Sequence, residues 1–204
     1  MLRILTLVFG ELPYACDSTV INRAYAARYG LEHQVLGACD ATDRDPIWCK
    51  VLYARQALEE PHVDRVLVMD ADAVFARHEE PPEKLTDFLG DRDLLVGEDY
   101  VPGLANTGVF LVNNTPGARA ILDEWWRLPA EFPELGFTWP LEERAFNQHI
   151  LPKYRPQIRL VQRAELDLVR GYVRHYLIEP TAQKTRRLAR ARTELEAALR
   201  AEGG

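Results

Sequence analysis

The chain has 204 residues, of which 47% are hydrophobic and 27% are charged, a composition typical of one globular domain with a full hydrophobic core. Its formal net charge of −6 argues against general affinity for nucleic acid, which requires a basic surface. No apolar run reaches the roughly 20 residues that cross a bilayer. The short apolar stretch 4–9 is followed at once by Glu11 and is interpreted as a first strand rather than a signal peptide.

The first half of the chain alternates strand and helix patterns. Apolar strands are predicted at 3–9, 31–37 and 65–69. Helices are predicted between them at 18–29 and 48–58, where apolar residues recur at helical spacing. This β-α-β-α-β order favours a parallel sheet with right-handed crossovers.

The second half contains shorter predicted elements. Strands are expected at 93–98, 107–113 and 158–161. Helices are expected over 118–125 and 141–151, again from apolar residues three and four apart. We therefore expect a single α/β domain.

The composition changes after Pro180, where Ala, Arg, Leu and Glu dominate. The predicted organisation is a domain over 1–180 and a C-terminal amphipathic helix over 181–204. A basic amphipathic helix can lie on an anionic membrane, dock its leucines on the domain, or pair in a homodimer. The glutamates of this segment dilute its basic character, which favours docking or pairing over membrane contact.

The chain has three cysteines, Cys16, Cys39 and Cys49. Their odd number and the absence of metal-type spacing predict free thiols in a reducing compartment. A cytoplasmic location is the simplest interpretation.

The segment RVLVMDADAVF ends its apolar run in Asp70-Ala71-Asp72. Ligands of open α/β sheets gather at the carboxyl ends of the strands, and residues i and i+2 of an extended chain point the same way. Both carboxylates can therefore face one hard cation such as Mg²⁺ or Mn²⁺. A simpler alternative is that one aspartate caps a turn while the other is solvated.

The same residues also match the D-x-D-x-V nucleophile motif of haloacid-dehalogenase-type phosphatases. In that alternative Asp70 attacks phosphorus and Asp72 serves as acid and base. The motif of that family follows the first strand of its domain, whereas here a complete β-α-β-α unit precedes it. Lys84 is also poorly placed as the required downstream lysine.

Three further motifs flank the aspartates. The order W-x-K ending at Lys50, D-A-D-A, N-x-G-V-F-L at 106–111 and E-x-x-A-F-N at 142–147 resembles the galactosyl-, mannosyl- and xylosyltransferase families of GT-A fold, over roughly residues 48–150. The resemblance implies an α/β, Rossmann-like mixed sheet flanked by helices. It also implies transfer of a hexose or pentose from a UDP- or GDP-sugar, with UDP favoured, to a hydroxyl of a small-molecule or glycan acceptor, with retention of configuration.

The resemblance implies a metal and diphosphate site. Asp70 and Asp72 would bind Mn²⁺ or Mg²⁺, and His175 is the candidate third ligand. Lys50 would add positive charge near the phosphates or pair with an aspartate, and Lys184 would lie near the diphosphate. As an isolated residue, each of these is more simply a surface or core side chain.

The resemblance also implies residues at the sugar. Asn106 and Gly108 would contact the donor sugar, the glycine by allowing close approach. Glu142 and Glu143 would face the reacting centre, although the families carry Gln at the second position, and Glu142 is the favoured contact. Asn147 would bind sugar hydroxyls.

The nucleoside is expected to lie at the end of the first strand. Thr6, Phe9 and Tyr14 are candidates there, together with Ala71 beside the aspartates, and an aromatic ring can stack on the base. A non-catalytic protein that binds a nucleotide-sugar is a further alternative. In such a protein, replacing Glu142 would have no measurable effect, because there is no turnover to reduce.

Overall fold

The computed structural model describes residues 1–137, 140–162, 171–176 and 179–202. Within these ranges a six-stranded sheet has the order β2-β1-β3-β6-β5-β7. Its strands are β1 (Leu2–Leu7), β2 (Glu32–Leu36), β3 (Arg65–Asp70), β5 (Leu94–Glu98), β6 (Ala105–Asn113) and β7 (Ile158–Val161), and a separate short strand is β4 (Ala73–Phe75).

The sheet is mixed, as the resemblance implied. β1 pairs in parallel with β2 and β3, as the alternating pattern predicts. β6 lies antiparallel between β3 and β5, because the short segment 99–104 that joins β5 to β6 permits a hairpin but no crossover. β7 pairs in parallel with β5, so within this sheet the expectation of parallel pairing fails only at β6.

Helices cover both faces of the sheet. They are α1 (Ala15–Arg28), α2 (Cys49–Ala57), α3 (Glu83–Leu89), α4 (Pro116–Glu131), α5 (Glu134–Phe137), α6 (Leu141–Ala145), α7 (Leu151–Lys153) and α8 (Thr181–Glu202). A 3₁₀ turn at Pro46–Trp48 precedes α2, and a π-helical turn at Phe146–Ile150 joins α6 to α7. The predicted helix 141–151 is thus interrupted, a local distortion often found at functional sites.

The two faces of β3 enter two different hydrophobic clusters. Val66 and Val68 pack with Trp125 in one cluster, while Leu67 and Met69 pack with Tyr25 in the other. All four strand residues are fully buried, because successive side chains of a strand point to opposite faces. β3 is therefore held from both sides up to Asp70, where the chain leaves the core.

A second, two-stranded sheet lies beyond the end of β3. β4 pairs antiparallel with β8 (Val173–His175), and the register sets Ala73 opposite His175. The Tyr176 N–H donates to the Asp72 carbonyl at 3.1 Å, which extends this pairing. β8 was not predicted from the sequence.

Helix α8 docks on the domain. Leu188 and Leu195 are buried in a cluster with Tyr14 and Ile21, and Arg192 forms an ion pair with Asp17 at 3.2 Å. These contacts agree with the docking interpretation of the leucines. No helix within the described ranges is both long and apolar enough to cross a membrane.

The expectation of three free thiols is wrong for two of them. Cys39 and Cys49 form a disulfide, with their Cα atoms 6.2 Å apart, while Cys16 is free and exposed. The pair forms because the segment after β2 folds back onto the start of α2, a tertiary contact that cysteine spacing does not reveal.

Candidate functional site

Asp70, Asp72 and His175 converge at the carboxyl end of β3. Each offers one ligand atom, and these atoms lie within 4.8 Å of one another. Asp70 ends β3, Asp72 occupies the turn into β4, and His175 is delivered by β8. The pairing of β4 with β8 thus brings His175 next to Asp70 and Asp72, which lie more than a hundred residues earlier in the sequence.

Asp72 is buried between His175 and Lys184. His175 Nε2 lies 3.0 Å from Asp72 Oδ1, and Lys184 Nζ forms an ion pair with Oδ2. Burial by itself raises the pKa of Asp72, but His175 and Lys184 outweigh it and hold that pKa well below its ordinary value. The carboxylate is therefore ionised and ready to bind a cation.

Lys50 is fully buried beneath the aspartates. Its Nζ lies 2.7 Å from Asp70 Oδ1 and 2.9 Å from Glu142 Oε1. Burial lowers the pKa of Lys50, but the two carboxylates outweigh it and raise the pKa above its ordinary value. Lys50 therefore stays charged and fixes Asp70 relative to Glu142, in agreement with the predicted pairing with an aspartate.

The two glutamates at the start of α6 reach β6. Thr107 Oγ1 donates to Glu142 Oε1 at 3.1 Å, while Asn106 Nδ2 and the Thr107 N–H donate to Glu143 Oε2 at 2.9 and 3.1 Å. Burial raises the pKa of Glu143 to about 7; the Thr107 N–H opposes this rise, whereas Glu142 and Asp99 add to it. Burial likewise raises the pKa of Glu142, and Lys50 partly offsets the rise.

Gly108 lies directly against His175. A Cβ atom built on Gly108 would be 2.1 Å from Cε1 of His175, far inside van der Waals contact. The absence of a side chain is therefore required for the imidazole position, and the predicted close approach of the donor sugar to Gly108 stays a prediction.

A cleft of about 470 Å³ opens beside the candidate ligands. Its lining includes the three candidate ligands and the predicted residues Phe9, Tyr14, Ala71 and Lys184. Five further lining residues were not predicted from the sequence: Leu7, Leu12, Asp45, Pro46 and Ile47. The helix-start signal Asp45-Pro46, in which Asp45 Oδ1 accepts from the Ile47 N–H at 3.0 Å, is the sequence feature that marks the last three. Apolar walls next to carboxylates suit a nucleoside attached to a metal-bound diphosphate.

Five predicted donor contacts do not line the cleft: Thr6, Lys50, Asn106, Gly108 and Asn147. Thr6 is fully buried, and its Oγ1 lies 2.9 Å from His33 Nε2. Asn147 is joined to the backbone of Ala105, accepting from its N–H at 2.7 Å and donating to its carbonyl at 2.8 Å. The two bonds of Asn147 hold the start of β6. The donor-binding roles of Thr6 and Asn147 remain predictions.

The donor set fits a divalent cation. Two carboxylates and an imidazole are acceptable ligands of Mn²⁺, and carboxylates also suit Mg²⁺ with phosphate oxygens completing its shell. The fit rests on the convergence of the three ligand atoms within 4.8 Å. The identity of the metal stays a prediction.

Comparison with solved structures places this architecture in a known fold. A glycosyltransferase involved in the glycosylation of the major capsid of PBCV-1 superposes with a TM-score of 0.75 at 17% identity, covering 92% of this chain and 98% of that one. The galactosyltransferase LgtC, solved with donor and acceptor sugar analogues, gives 0.57 at 14%, covering 95% and 96%. Mouse xyloside xylosyltransferase 1 gives 0.52 at 10%, covering 86% and 97%. No family model and no curated protein sequence matches the chain.

The chain therefore has the GT-A fold, and the expected fold class is confirmed. The D-A-D segment follows β3, the third strand, rather than the first strand of the domain. Asp70 is also ion-paired with buried Lys50. The position of the segment weighs against the phosphatase alternative, in which Asp70 is a nucleophile after the first strand, and Lys50 lies upstream of Asp70 rather than downstream as that family requires.

Proposed function

We propose that the protein is a metal-dependent glycosyltransferase that moves a sugar from a nucleoside-diphosphate sugar to an acceptor hydroxyl, with retention of configuration. The observation that carries the proposal is the convergence of Asp70, Asp72 and His175 at the mouth of a nucleotide-sized cleft. The shared fold with glycosyltransferases supports it. A UDP-sugar is the favoured donor, and the acceptor is a small molecule or a glycan.

The phosphate end of the donor lies at the three ligands in this proposal. A divalent cation bound there supplies Lewis-acid stabilisation of the leaving diphosphate. Lys184, which lies against Asp72, adds a positive charge at the same end of the cleft. Lys50 holds Asp70 in place from below.

The nucleoside lies between the apolar walls of the cleft. Tyr14 and Phe9 line it from the segment after β1, and Pro46 and Ile47 line it from the segment before α2. A flat aromatic or proline surface on either side stabilises a base by stacking.

The transferred sugar lies toward the start of β6, near Asn106, Glu142 and Glu143. The sequence favoured Glu142 as the residue that touches the sugar. Glu142 is only 3% exposed and engaged by Lys50 and Thr107, whereas Glu143 is partly exposed. These contacts favour Glu143 at the sugar and Glu142 as its structural support.

Calorimetric titration tests the proposal. UDP and GDP are each titrated with and without Mn²⁺ into the intact protein and into Asp72→Ala. Binding that requires Mn²⁺ and is lost in the variant is the expected result, and the nucleotide that binds identifies the base. Absence of binding by both nucleotides in both conditions would overturn the proposal.

A hydrolysis assay then separates an enzyme from a non-catalytic binding protein. Slow, metal-dependent cleavage of the donor supports the transferase if its rate falls in Glu142→Gln and in Glu143→Gln. Donor binding without cleavage or transfer, unchanged in both variants, supports the binding protein instead. A possible homodimer and a cytoplasmic location remain predictions.

A further inference from the structure

Asn106 lies between the candidate metal ligands and the glutamates. Its Oδ1 is 3.2 Å from His175 Nδ1, and its Nδ2 donates to Glu143 Oε2 at 2.9 Å. The side chain is 4% exposed. One amide group therefore contacts both a candidate metal ligand and a glutamate at the proposed sugar site.

The orientation of this amide is fixed by its neighbours. The Gly108 N–H donates to Asn106 Oδ1 at 3.2 Å, so an acceptor must face it. On the other side, Glu143 Oε2 receives the Thr107 N–H at 3.1 Å and needs donors. A flipped amide would set its NH₂ against the Gly108 N–H and its oxygen against the carboxylate, which leaves both contacts repulsive.

The fixed oxygen requires a proton on Nδ1 of His175. Because Asn106 Oδ1 is an acceptor, Nδ1 of the imidazole must be the donor, and Nε2 is the nitrogen that faces Asp72 at 3.0 Å. Metal-ligating histidines are commonly oriented in this way by a hydrogen bond at their other nitrogen. Gly108 supports the arrangement, because any Cβ at that position would displace the ring.

We propose that Asn106 is a positioning residue that selects Nε2 of His175 for a divalent cation and, through the other end of the same amide, orients Glu143. The metal-binding half of this inference rests on the proposed function. The proton on Nδ1 of His175 does not, because it follows from hydrogen bonds within the protein alone.

Two variants separate the two halves of the role. Asn106→Asp keeps an oxygen for His175 and the Gly108 N–H but replaces the donor to Glu143 with a second carboxylate. Asn106→Leu removes both contacts at similar volume. In Asn106→Asp we expect Mn²⁺ affinity within about threefold of the native protein and at least tenfold lower turnover. In Asn106→Leu we expect Mn²⁺ affinity also to fall at least tenfold.

The proton on Nδ1 is read directly by ¹⁵N NMR of the imidazoles in metal-free protein. The chain has five histidines, and His175→Gln assigns the relevant signals. A proton on Nδ1 of His175 in the native protein and in Asn106→Asp, and its loss in Asn106→Leu, is the expected result. A native His175 without that proton, or an unchanged signal in Asn106→Leu, would overturn the inference.

The same data distinguish the two proposals. If the native protein binds no Mn²⁺ while the Nδ1 proton depends on Asn106, the proposed function fails and the positioning of His175 stands. If the native protein binds Mn²⁺ and both variants bind it equally well with normal turnover, the inference fails and the proposed function stands.

Discussion

Lys184 lies against Asp72 although 112 residues separate them in sequence. The lysine is in the first turns of α8, and its ammonium group forms an ion pair with Oδ2 of a carboxylate that also contacts His175. The C-terminal helix thus supplies a side chain to the candidate site. Leu188 and Leu195 in the core hold the helix there.

Replacing Lys184 tests whether this charge acts on the diphosphate. In Lys184→Met the lost positive charge should weaken UDP binding in the presence of Mn²⁺ by about tenfold, which corresponds to about 1.4 kcal/mol. Lys184→Arg retains the charge and serves as the control. Calorimetric Kd values are the measurement, and equal affinity of the native and Met proteins would contradict a phosphate role.

Lys50 is expected to be essential for stability. Lys50→Met leaves the carboxylates of Asp70 and Glu142 without their buried cation, and breaking such a pair on one side costs about 3–5 kcal/mol. The free energy of unfolding in urea measures the loss. Combining Lys50→Met with Glu142→Gln removes one of the two unpaired charges and should recover part of the lost free energy of unfolding. A double variant no more stable than the single one would argue against this account.

Local patterns predicted the scaffold better than the site contacts. The apolar run of β3 and its terminal aspartates follow from burial on both faces, and strand 158–161 was predicted with the bounds observed. β8 has only three residues, and its strand form depends on pairing with distant β4. His175 was accordingly predicted only through family resemblance.

The remaining contacts of the site depend on folding over long sequence separations. The bond between Asn106 and Glu143 joins residues 37 apart, and no periodicity or propensity encodes it. The disulfide between Cys39 and Cys49, and the cleft position of Asp45–Ile47, depend on the path of an irregular segment. Irregular segments follow tertiary contacts, which a single sequence does not display.

Gly108 is expected to control metal affinity rather than stability. In Gly108→Ala the new methyl group overlaps the His175 ring, so the imidazole moves away from Asp72. Mn²⁺ affinity should fall by about tenfold or more, a loss typical of disturbed metal-ligand support.

Gly103→Ala is the matched control for that change. Gly103 has a φ of +84° and no atom near an added Cβ, so the control costs about 1 kcal/mol of backbone strain without touching His175. Mn²⁺ titration and thermal unfolding are measured on both variants. Equal Mn²⁺ affinity of both with the native protein would contradict the proposed position of His175.

The disulfide is expected to support the cleft wall. Cys39 and Cys49 close a loop that contains all three cleft residues 45–47. In the chain-entropy treatment, closing a loop of this length contributes about 2–3 kcal/mol. Cys39→Ser should therefore lower the free energy of unfolding and weaken nucleotide binding, while Cys16→Ser, at an exposed free thiol, should change neither.

Alkylation followed by mass spectrometry checks the disulfide itself. Without reductant only Cys16 should be modified under denaturing conditions, and with reductant all three cysteines should be. Modification of three thiols without reductant would refute the pairing.

Glu143 should make stability depend on pH. Its pKa is raised from 4.5 to about 7, so the fold favours the protonated form. The stability that this preference contributes is fully present below pH 4.5 and is lost as the pH rises through about 7. Glu143→Gln carries no such charge, so relative to the native protein it should gain about 1–2 kcal/mol between pH 5 and pH 8.5, once partial exposure is allowed for.

Urea unfolding in metal-free buffer at both pH values measures the gain. Glu131→Gln, at an exposed position of α4, is the control and should follow the native pH profile. Parallel profiles for Glu143→Gln and the native protein would mean that Glu143 is not held in the protonated form at neutral pH.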